Sequence, residues 1–316
     1  MTGSFDKIDY RLRPAKHAER HMLLEVARRL RFDHVDRYQY IGMGSVGFVD
    51  HRLLHKGLGI SRMVSFEATD DANVQERFRR NVPLACIDME FGYSTDVLPT
   101  LTYDLRSIVW LDYDDKLNRS MALDLRILAG QLKSGSLVFV TFAAGMPVDG
   151  KGAEKEIQRL AGDFPEFVGE QPKIRDFEGI AYGNFGRRVL GELFSQALLE
   201  VDAAKEVADQ RTLRQVCYFR YRDGAAMCTV GWVVCANREL DVFQACEFEL
   251  LPYFRDAENS FHIKIPKFTP FEIAALERLV PSEGAMPDIG WLSEDDRRDF
   301  CDIYRYLPNF GIFEPI

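Results

Sequence analysis

No Cys-x-x-Cys pair occurs in this 316-residue sequence, which removes the usual spacing of a zinc site or a dithiol redox centre. Six cysteines are present but scattered, at Cys86, Cys217, Cys228, Cys235, Cys246 and Cys301. Three of them fall in strand-like runs, where cysteine behaves as a small buried hydrophobe, so neither disulfides nor zinc are expected. No apolar run approaches the roughly 20 residues that cross a bilayer. Residues 1–10 carry no apolar core of the kind found in a signal peptide. A cytoplasmic protein with no membrane contact is therefore expected. Internal repeats and low-complexity tracts are also absent. The run His17-Ala18-Glu19-Arg20-His21 lacks the zinc-protease pattern, because its glutamate does not follow the first histidine directly.

What is present is the composition of a globular chain, 47% hydrophobic and 28% charged, enough to bury a large core. One α/β domain of roughly 200 residues with smaller additions is the expectation for this length. The net charge of −9 is uneven. Residues 1–37 hold nine Lys and Arg against six Asp and Glu, whereas residues 241–316 hold seven against fifteen. An acidic chain disfavours broad nucleic-acid binding. The basic residues Arg11, Arg13, Lys16 and Arg20 are expected to be a solvated helix face, with substrate contact as the alternative.

Along residues 16–31, Met22, Leu23, Val26 and Leu30 recur at helical spacing opposite charges, predicting an amphipathic helix. Strand and helix signals then alternate. Residues 38–41 predict a first strand, and residues 48–56 a helix ended by Gly57 and Gly59. Residues 62–66 predict a second strand closed by Glu67, and residues 70–80 a helix with Asp70 or Asp71 as cap. Further strands are expected over residues 87–91, 107–111 and 137–142, with a helix over 118–132 before the last. A longer helix is expected around residues 187–200. Residues 214–221 and 226–235 then flank Arg222-Asp223-Gly224, a strong hairpin signal. The expected architecture is α/β: a Rossmann-like, seven-stranded, mostly parallel sheet ending in an antiparallel hairpin. Residues 1–37 form an N-terminal helical segment and residues 38–245 the main domain. Residues 246–316, broken by seven prolines, form a small, acidic, mostly helical appendage.

The loop Gly42-Met43-Gly44-Ser45-Val46-Gly47 leaves the first strand and opens a helix. Glycines let backbone approach a ligand closely, and a helix N-terminus offers unpaired N–H groups. Glu67 ends the next strand roughly 25 residues on, placed to accept hydrogen bonds from ribose hydroxyls. This pattern serves a nicotinamide dinucleotide as well as a methyl donor, and a tight strand-to-helix turn uses such glycines with no ligand at all. His51 and His55, four residues apart on the following helix, have no third partner for a metal and are expected on a partly exposed face.

Taken together, YIGMGSVGF, SFE, STDVLP, WLDYDDKLN and GSLVFVTF resemble the motif series of class I, Rossmann-like S-adenosylmethionine-dependent methyltransferases, over residues 38–240. The resemblance implies S-adenosylmethionine as cofactor. Its site would be built from Gly42, Met43, Gly44, Ser45, Gly47, Glu67, Ala68, Ser94, Thr95, Asp96 and Asp112. Residues 110–150 are most similar to the catechol and caffeoyl-CoA O-methyltransferase group, in which an Asp-x-x-Lys strand end and a later Asp-Asn pair hold a divalent metal. Asp112 takes the place of the first aspartate. Asp115 occupies the lysine position, with Lys116 displaced by one. The Asp-Asn pair falls near Thr141-Phe142 or Phe142-Ala143, which offer no pair of oxygen ligands for a hard cation, so no metal is expected. Tyr40 stands where the family places an acidic residue before the glycine loop.

The implied reaction is methyl transfer, favouring an oxygen acceptor, with Asp112, Tyr113 and Asp114 as the candidate catalytic residues. A carboxylate there can take a proton, and a tyrosine ring attracts a methylsulfonium. The acceptor, whether small molecule, protein or nucleic acid, carries no motif. A homodimer or a protein partner is the expectation for the appendage. Two other functions stay open: a nicotinamide-dependent oxidoreductase, and a cofactor-binding or partner-binding protein that has lost catalysis.

Overall fold

Side chains that alternate in direction along each strand feed two cores, one on either side of a single eight-stranded sheet. The computed structural model describes residues 13–282, 286–287 and 289–308. Helix α1 (Pro14–Arg28) precedes β1 (Gln39–Met43), α2 (Val49–Leu58), β2 (Arg62–Glu67), α3 (Ala72–Asn81) and β3 (Ile87–Phe91). A single turn, α4 (Ser94–Val97), leads into β4 (Ser107–Lys116), α5 (Arg119–Gln131) and β5 (Leu137–Ala143). Helices α6 (Gly150–Asp163), α7 (Pro165–Val168) and α8 (Ile180–Asp202) follow, then the hairpin β6 (Arg211–Asp223) and β7 (Ala225–Ala236). The chain continues through α9 (Leu240–Gln244), β8 (Phe261–Ile263), α10 (Pro270–Glu277) and α11 (Glu294–Ile303). Among the described residues no helix is long and apolar enough to cross a membrane.

The strand order is β3-β2-β1-β4-β5-β7-β6-β8. Strands β1 to β5 pair in parallel, and β7 runs antiparallel to both β5 and β6. The chain builds outward from β1 to β3 and then crosses to β4 on the other side of β1. That reversal leaves a crevice beyond the C-terminal ends of β1 and β4, the usual place for a ligand in an open α/β sheet. Ile108 and Trp110 of β4 enter one core while Val109 and Leu111 enter the other. This explains why the central strands are continuous apolar runs.

Most expected elements are found within a few residues, although α8 begins at Ile180 rather than near residue 187. Asp71 and Gly59 act as expected, and Asn118, expected as the first helical residue, is instead a cap. Asp71 accepts the N–H groups of Asn73 and Val74, Asn118 those of Ser120 and Met121, and Gly59 closes α2 at φ 76°. Three further features differ. The sheet has an eighth strand, because β8 pairs in parallel with β6 through Phe219, Arg220 and Tyr221. Three residues are too few to show a period in the sequence. Helix α6 arises in a segment with no readable pattern. Strand β4 runs on to Lys116 rather than ending at Leu111.

The segment after residue 245 contains the expected short helices, and it also packs into the main core. Cys246, Phe248, Leu251 and Tyr253 join the same cluster as Met22, Leu23 and Val26 of α1. The Tyr253 hydroxyl donates to the Met22 carbonyl (3.2 Å) and the Glu25 carboxylate (2.7 Å). At the other end of the hairpin, Arg211 clamps α8 to the sheet. Its Nε and Nη2 donate to Asp202 (2.8 and 2.7 Å), while Nη2 also reaches the Ala129 carbonyl.

Helix α1 lacks an N-cap side chain of its own. Asp223, at the tip of the distant hairpin, takes over that role, accepting the Ala15 and Lys16 N–H groups at 3.2 and 2.8 Å. Replacing a capping carboxylate by alanine costs about 1 kcal/mol. Asp223→Ala should therefore lower Tm by a few degrees in a thermal melt, and Asp223→Asn should recover most of the loss.

Candidate active site

The crevice at the sheet's reversal is a cleft of about 350 Å3. Its first wall is the end of β1, Met43, Gly44 and Ser45, and its second the end of β2, Phe66, Glu67 and Ala68. The Gly44 amide donates to the Phe66 carbonyl at 2.5 Å, and a Cβ on Gly44 would stand 3.1 Å from that same oxygen. Glycine eases the close approach of two backbones there, which a side chain would crowd. At Gly42 the space a Cβ would occupy is filled by the Tyr40 hydroxyl. Phe48, the first residue after the loop, is left-handed (φ 46°), which costs a non-glycine residue about 1 kcal/mol. Its complete burial against His51 and Phe78 offsets this.

The third wall comes from a break in the β4–β5 ladder. Asp112 pairs with Thr141, yet the next pair joins Lys116 to Ala143, so Tyr113, Asp114 and Asp115 leave the ladder between them. Such a bulge re-aims side chains at a sheet edge, and all three, with Asp112, line the cleft. The Tyr113 hydroxyl is spent on Asp124, to which it donates at 2.5 Å. Burial first and Asp124 second push the Tyr113 pKa well above its usual value.

Behind Asp112 stands Lys16 of α1, almost completely buried. Its Nζ donates to Asp112 Oδ1 (2.6 Å) and the Tyr221 hydroxyl (3.2 Å), and lies 2.8 Å from Glu19 Oε2. The ammonium also sits 4.6 Å from the centre of the Trp110 ring. Glu19 accepts from Thr229, whose hydroxyl shares a hydrogen bond with Thr141 (2.7 Å), and Thr141 accepts the Trp110 indole N–H (3.0 Å). Burial works against the Lys16 charge, but Asp112 and then Glu19 outweigh it and hold its pKa above the usual lysine value. Burial pushes Glu19 upward, Lys16 opposes this, and the net shift is upward.

One turn along α1, Arg20 Nε donates to Asp50 Oδ1 of α2 at 2.5 Å, and both residues line the cleft. Burial would raise Asp50, yet Arg20 overcomes it and lowers the carboxyl below its usual range. Tyr40 is buried beside this pair, its phenol raised by burial, then by Asp50 and Asp112. Glu67 is half-buried, and desolvation followed by Asp114 lifts its pKa to about 7.

Of the residues expected from the sequence, Met43, Gly44, Ser45, Glu67, Ala68, Ser94, Asp112, Tyr113 and Asp114 line this one cleft. Gly42, Gly47, Thr95 and Asp96 shape its neighbourhood without lining it. Sequence reasoning missed Asp50, Tyr93, Asn118 and Ser120, which also line it. Asp115, read only as the residue at the lysine position, and Arg20, read only as an alternative substrate contact, line it too, with Lys16 behind. The solvated face expected for Lys16 and Arg20 is corrected: both are buried and ion-paired. The one available signal was that Lys16, Glu19, Arg20, Leu23 and Ala27 share a helical stripe. Arg11 lies outside the described residues. His51 is also buried rather than half exposed. Its Nε2 bonds to the Val64 carbonyl (3.2 Å), and desolvation first of all lowers its pKa to about 4.

A metal site of the Asp plus Asp-Asn type does not fit these donors. Asp112 holds an ammonium, and the strand-five position offers Thr141, already engaged with Trp110 and Thr229. Among the described residues no three His, Cys, Asp or Glu side chains are grouped to bind a metal ion. Lys116 turns away toward Glu156, at 3.8 Å.

A family model described as "Putative O-methyltransferase" matches residues 8–315. No curated protein matches the chain. Similar solved structures include Trm1 from Pyrococcus horikoshii in complex with S-adenosyl-L-methionine (12% identity, TM-score 0.46, covering 72% of this chain and 57% of that one). Spermidine synthase from Thermotoga maritima is 11% identical with TM-score 0.41, over 78% of this chain and 68% of that one. The O-methyltransferase TomG from Streptomyces achromogenes is 14% identical with TM-score 0.37, over 72% and 91%. The chain thus spans little more than half the length of the Pyrococcus protein.

Two measurements probe the buried charges. Lys16→Met leaves Glu19 buried without its cation, which should cost about 3–5 kcal/mol in chemical denaturation. Adding Glu19→Gln should recover a large part of this, a coupling that independent sites would not show. For Glu67, the folded protein keeps the proton up to about pH 7, whereas an unfolded glutamate loses it near pH 4.3. Stability contributed by this group is therefore full below about pH 4, is lost progressively as pH rises from there toward 7, and is gone above 7. Glu67→Gln should come closest to the wild type in Tm at about pH 4 and exceed it by a margin that grows up to about pH 7 and then stays level.

Proposed function

The chain belongs to the O-methyltransferase family whose model it matches, and from that premise we propose a division of labour for the cleft. The protein is an S-adenosylmethionine-dependent methyltransferase. The observation that carries the residue assignment is that the glycine loop, Glu67 and the Asp112 bulge meet in one cleft. The cofactor, when bound, supplies an electrophilic methyl group on a sulfonium.

Glu67 accepts hydrogen bonds from ribose hydroxyls, a role its half-buried carboxyl at the end of β2 suits. The backbone of Met43, Gly44 and Ser45 forms the floor, close to the ligand because Gly44 has no side chain. The zwitterionic amino-acid end of the cofactor needs an anion and a cation opposite it. Arg20 answers its carboxylate, and Asp50 and Asp112 answer its ammonium, which supports the view that Asp50 stands in for the acidic residue replaced by Tyr40. Asp112, steadied by Lys16, lies beside the transfer position and receives or orients the acceptor's proton. The Tyr113 ring offers its face to the sulfonium, and Asp114 adds negative potential next to Glu67. Transfer to oxygen in a cytoplasmic acceptor is the reading we favour.

The test is incubation with labelled methyl donor and fractionated lysate, alongside calorimetry with S-adenosylhomocysteine. Wild-type protein should bind S-adenosylhomocysteine and label one fraction. Asp112→Asn should fold and lower labelling by on the order of 100-fold or more, the scale of a lost proton-transfer group. Full activity in that variant would reduce Asp112 to a structural residue. Binding of the homocysteine product without labelling in any fraction would point to a non-catalytic protein.

A further inference from the structure

A second hollow, of about 660 Å3, opens on the far side of β5 between the β5–α6 turn, the start of α8 and the end of β6. Arg220 and Arg222 of β6 line it, with His262 of β8 and Tyr221. Arg220 and His262 are register partners across the β6–β8 pair, so their side chains share a face. The Arg220 Nε is buried with no hydrogen-bond partner, and among the described residues no carboxylate pairs with this guanidinium. Arg222 is exposed and donates to the Gly224 carbonyl of its own turn. The acid lining the hollow is Glu178, which is solvent-exposed. Asp299, the acid that His262 senses, is tied to Lys264. Burial first, then the Arg220 charge, lower the His262 pKa.

Arg220 is half-buried and, among the described residues, carries no carboxylate partner, so an anion entering the hollow would meet a guanidinium with donors to spare. Two structural links join this hollow to the methyl-transfer end of β4. Tyr221 accepts the hydrogen bond from Lys16, which holds Asp112. Ala144 lines the hollow immediately after Ala143, the register partner of Lys116.

We propose that this hollow receives the methyl acceptor and selects one bearing an oxyanion, a carboxylate or a phosphate, gripped by Arg220 with Arg222. The proposal rests on the assignment of the first cleft to the methyl donor. Arg220 supplies the planar donor fork that either oxyanion fits, and Arg222 closes over it from the hairpin. The acceptor's other end then runs over the end of β5, where Ala143 and Ala144 adjoin Lys116, toward Asp112.

Titration of the full chain with inorganic phosphate and with propionate, each against sodium chloride at equal ionic strength, tests this by calorimetry. One of the two should bind saturably, and the better binder identifies the oxyanion. Arg220→Gln should weaken it on the order of tenfold or more, and Arg222→Gln by a smaller factor, while S-adenosylhomocysteine affinity stays unchanged in both. The saturating oxyanion should also slow methyl labelling of lysate beyond the chloride control. No saturable binding, equal binding in Arg220→Gln, or unimpeded labelling would overturn the proposal. If Arg220→Gln fails to fold, Arg222→Gln decides, since an exposed side chain does not hold the core, and an unchanged constant there overturns it. Oxyanion binding without S-adenosylhomocysteine binding in the wild type would instead defeat the donor-site reading.

Discussion

The contact on which this structure depends is the buried ammonium of Lys16, held between Asp112 and Glu19. A lysine this deep is tolerable only if its partners stand at hydrogen-bond distance, because isolated charges are costly to desolvate. The register of α1 against the sheet is therefore narrowly set. Sliding the helix by one turn would strand Lys16, Glu19 and Arg20 together. Asp223 above and Tyr253 beside reinforce the same position, each from a part of the chain more than 200 residues away. The N-terminal helix is in this way a wall of the site and not an accessory to it.

The same constraint shapes the chemistry. With α1 in place, the inner wall of the first cleft carries two ion pairs, Lys16–Asp112 and Arg20–Asp50, in surroundings that screen charge poorly. The bulge of β4 adds Tyr113, Asp114 and Asp115, and the crowding of Asp114 near Glu67 is part of why that carboxyl titrates near neutrality. Tyr40 is buried and neutral, filling the space over Gly42. Close to it, Asp50 lines the cleft and is held by Arg20. Both the hairpin and the segment after it serve α1: the former caps it, and the latter packs along it and adds β8 to the sheet edge.

Much of the fold was legible from periodicity. The apolar runs of the central strands, the cap at Asp71 and the Asp223-Gly224 turn are local signals with local causes. Strand β8 was not legible, since three residues among prolines show no period. Helix α6 was hidden because its apolar residues, Ala153, Ile157 and Leu160, are few and begin after two glycines. In the site, the glycine loop, Glu67 and the β4 end announced themselves through residue type at a strand end. Lys16, Arg20 and Asp50 did not. A charged residue on an amphipathic helix looks solvated in sequence, and only a partner brought from elsewhere makes its burial affordable.

By itself, then, the sequence determined the order of strands and helices, the position of the glycine loop and the resemblance to methyltransferases, because each follows from spacing within a few dozen residues. Tertiary structure decided which charges meet. It placed Lys16 against Asp112, Arg20 against Asp50 and Asp223 on the helix start, and left Arg220 without a carboxylate beside the second hollow. Electrostatic partners act over a few ångströms of space and leave no periodic trace along the chain, so their pairing becomes visible only once the fold has brought them together.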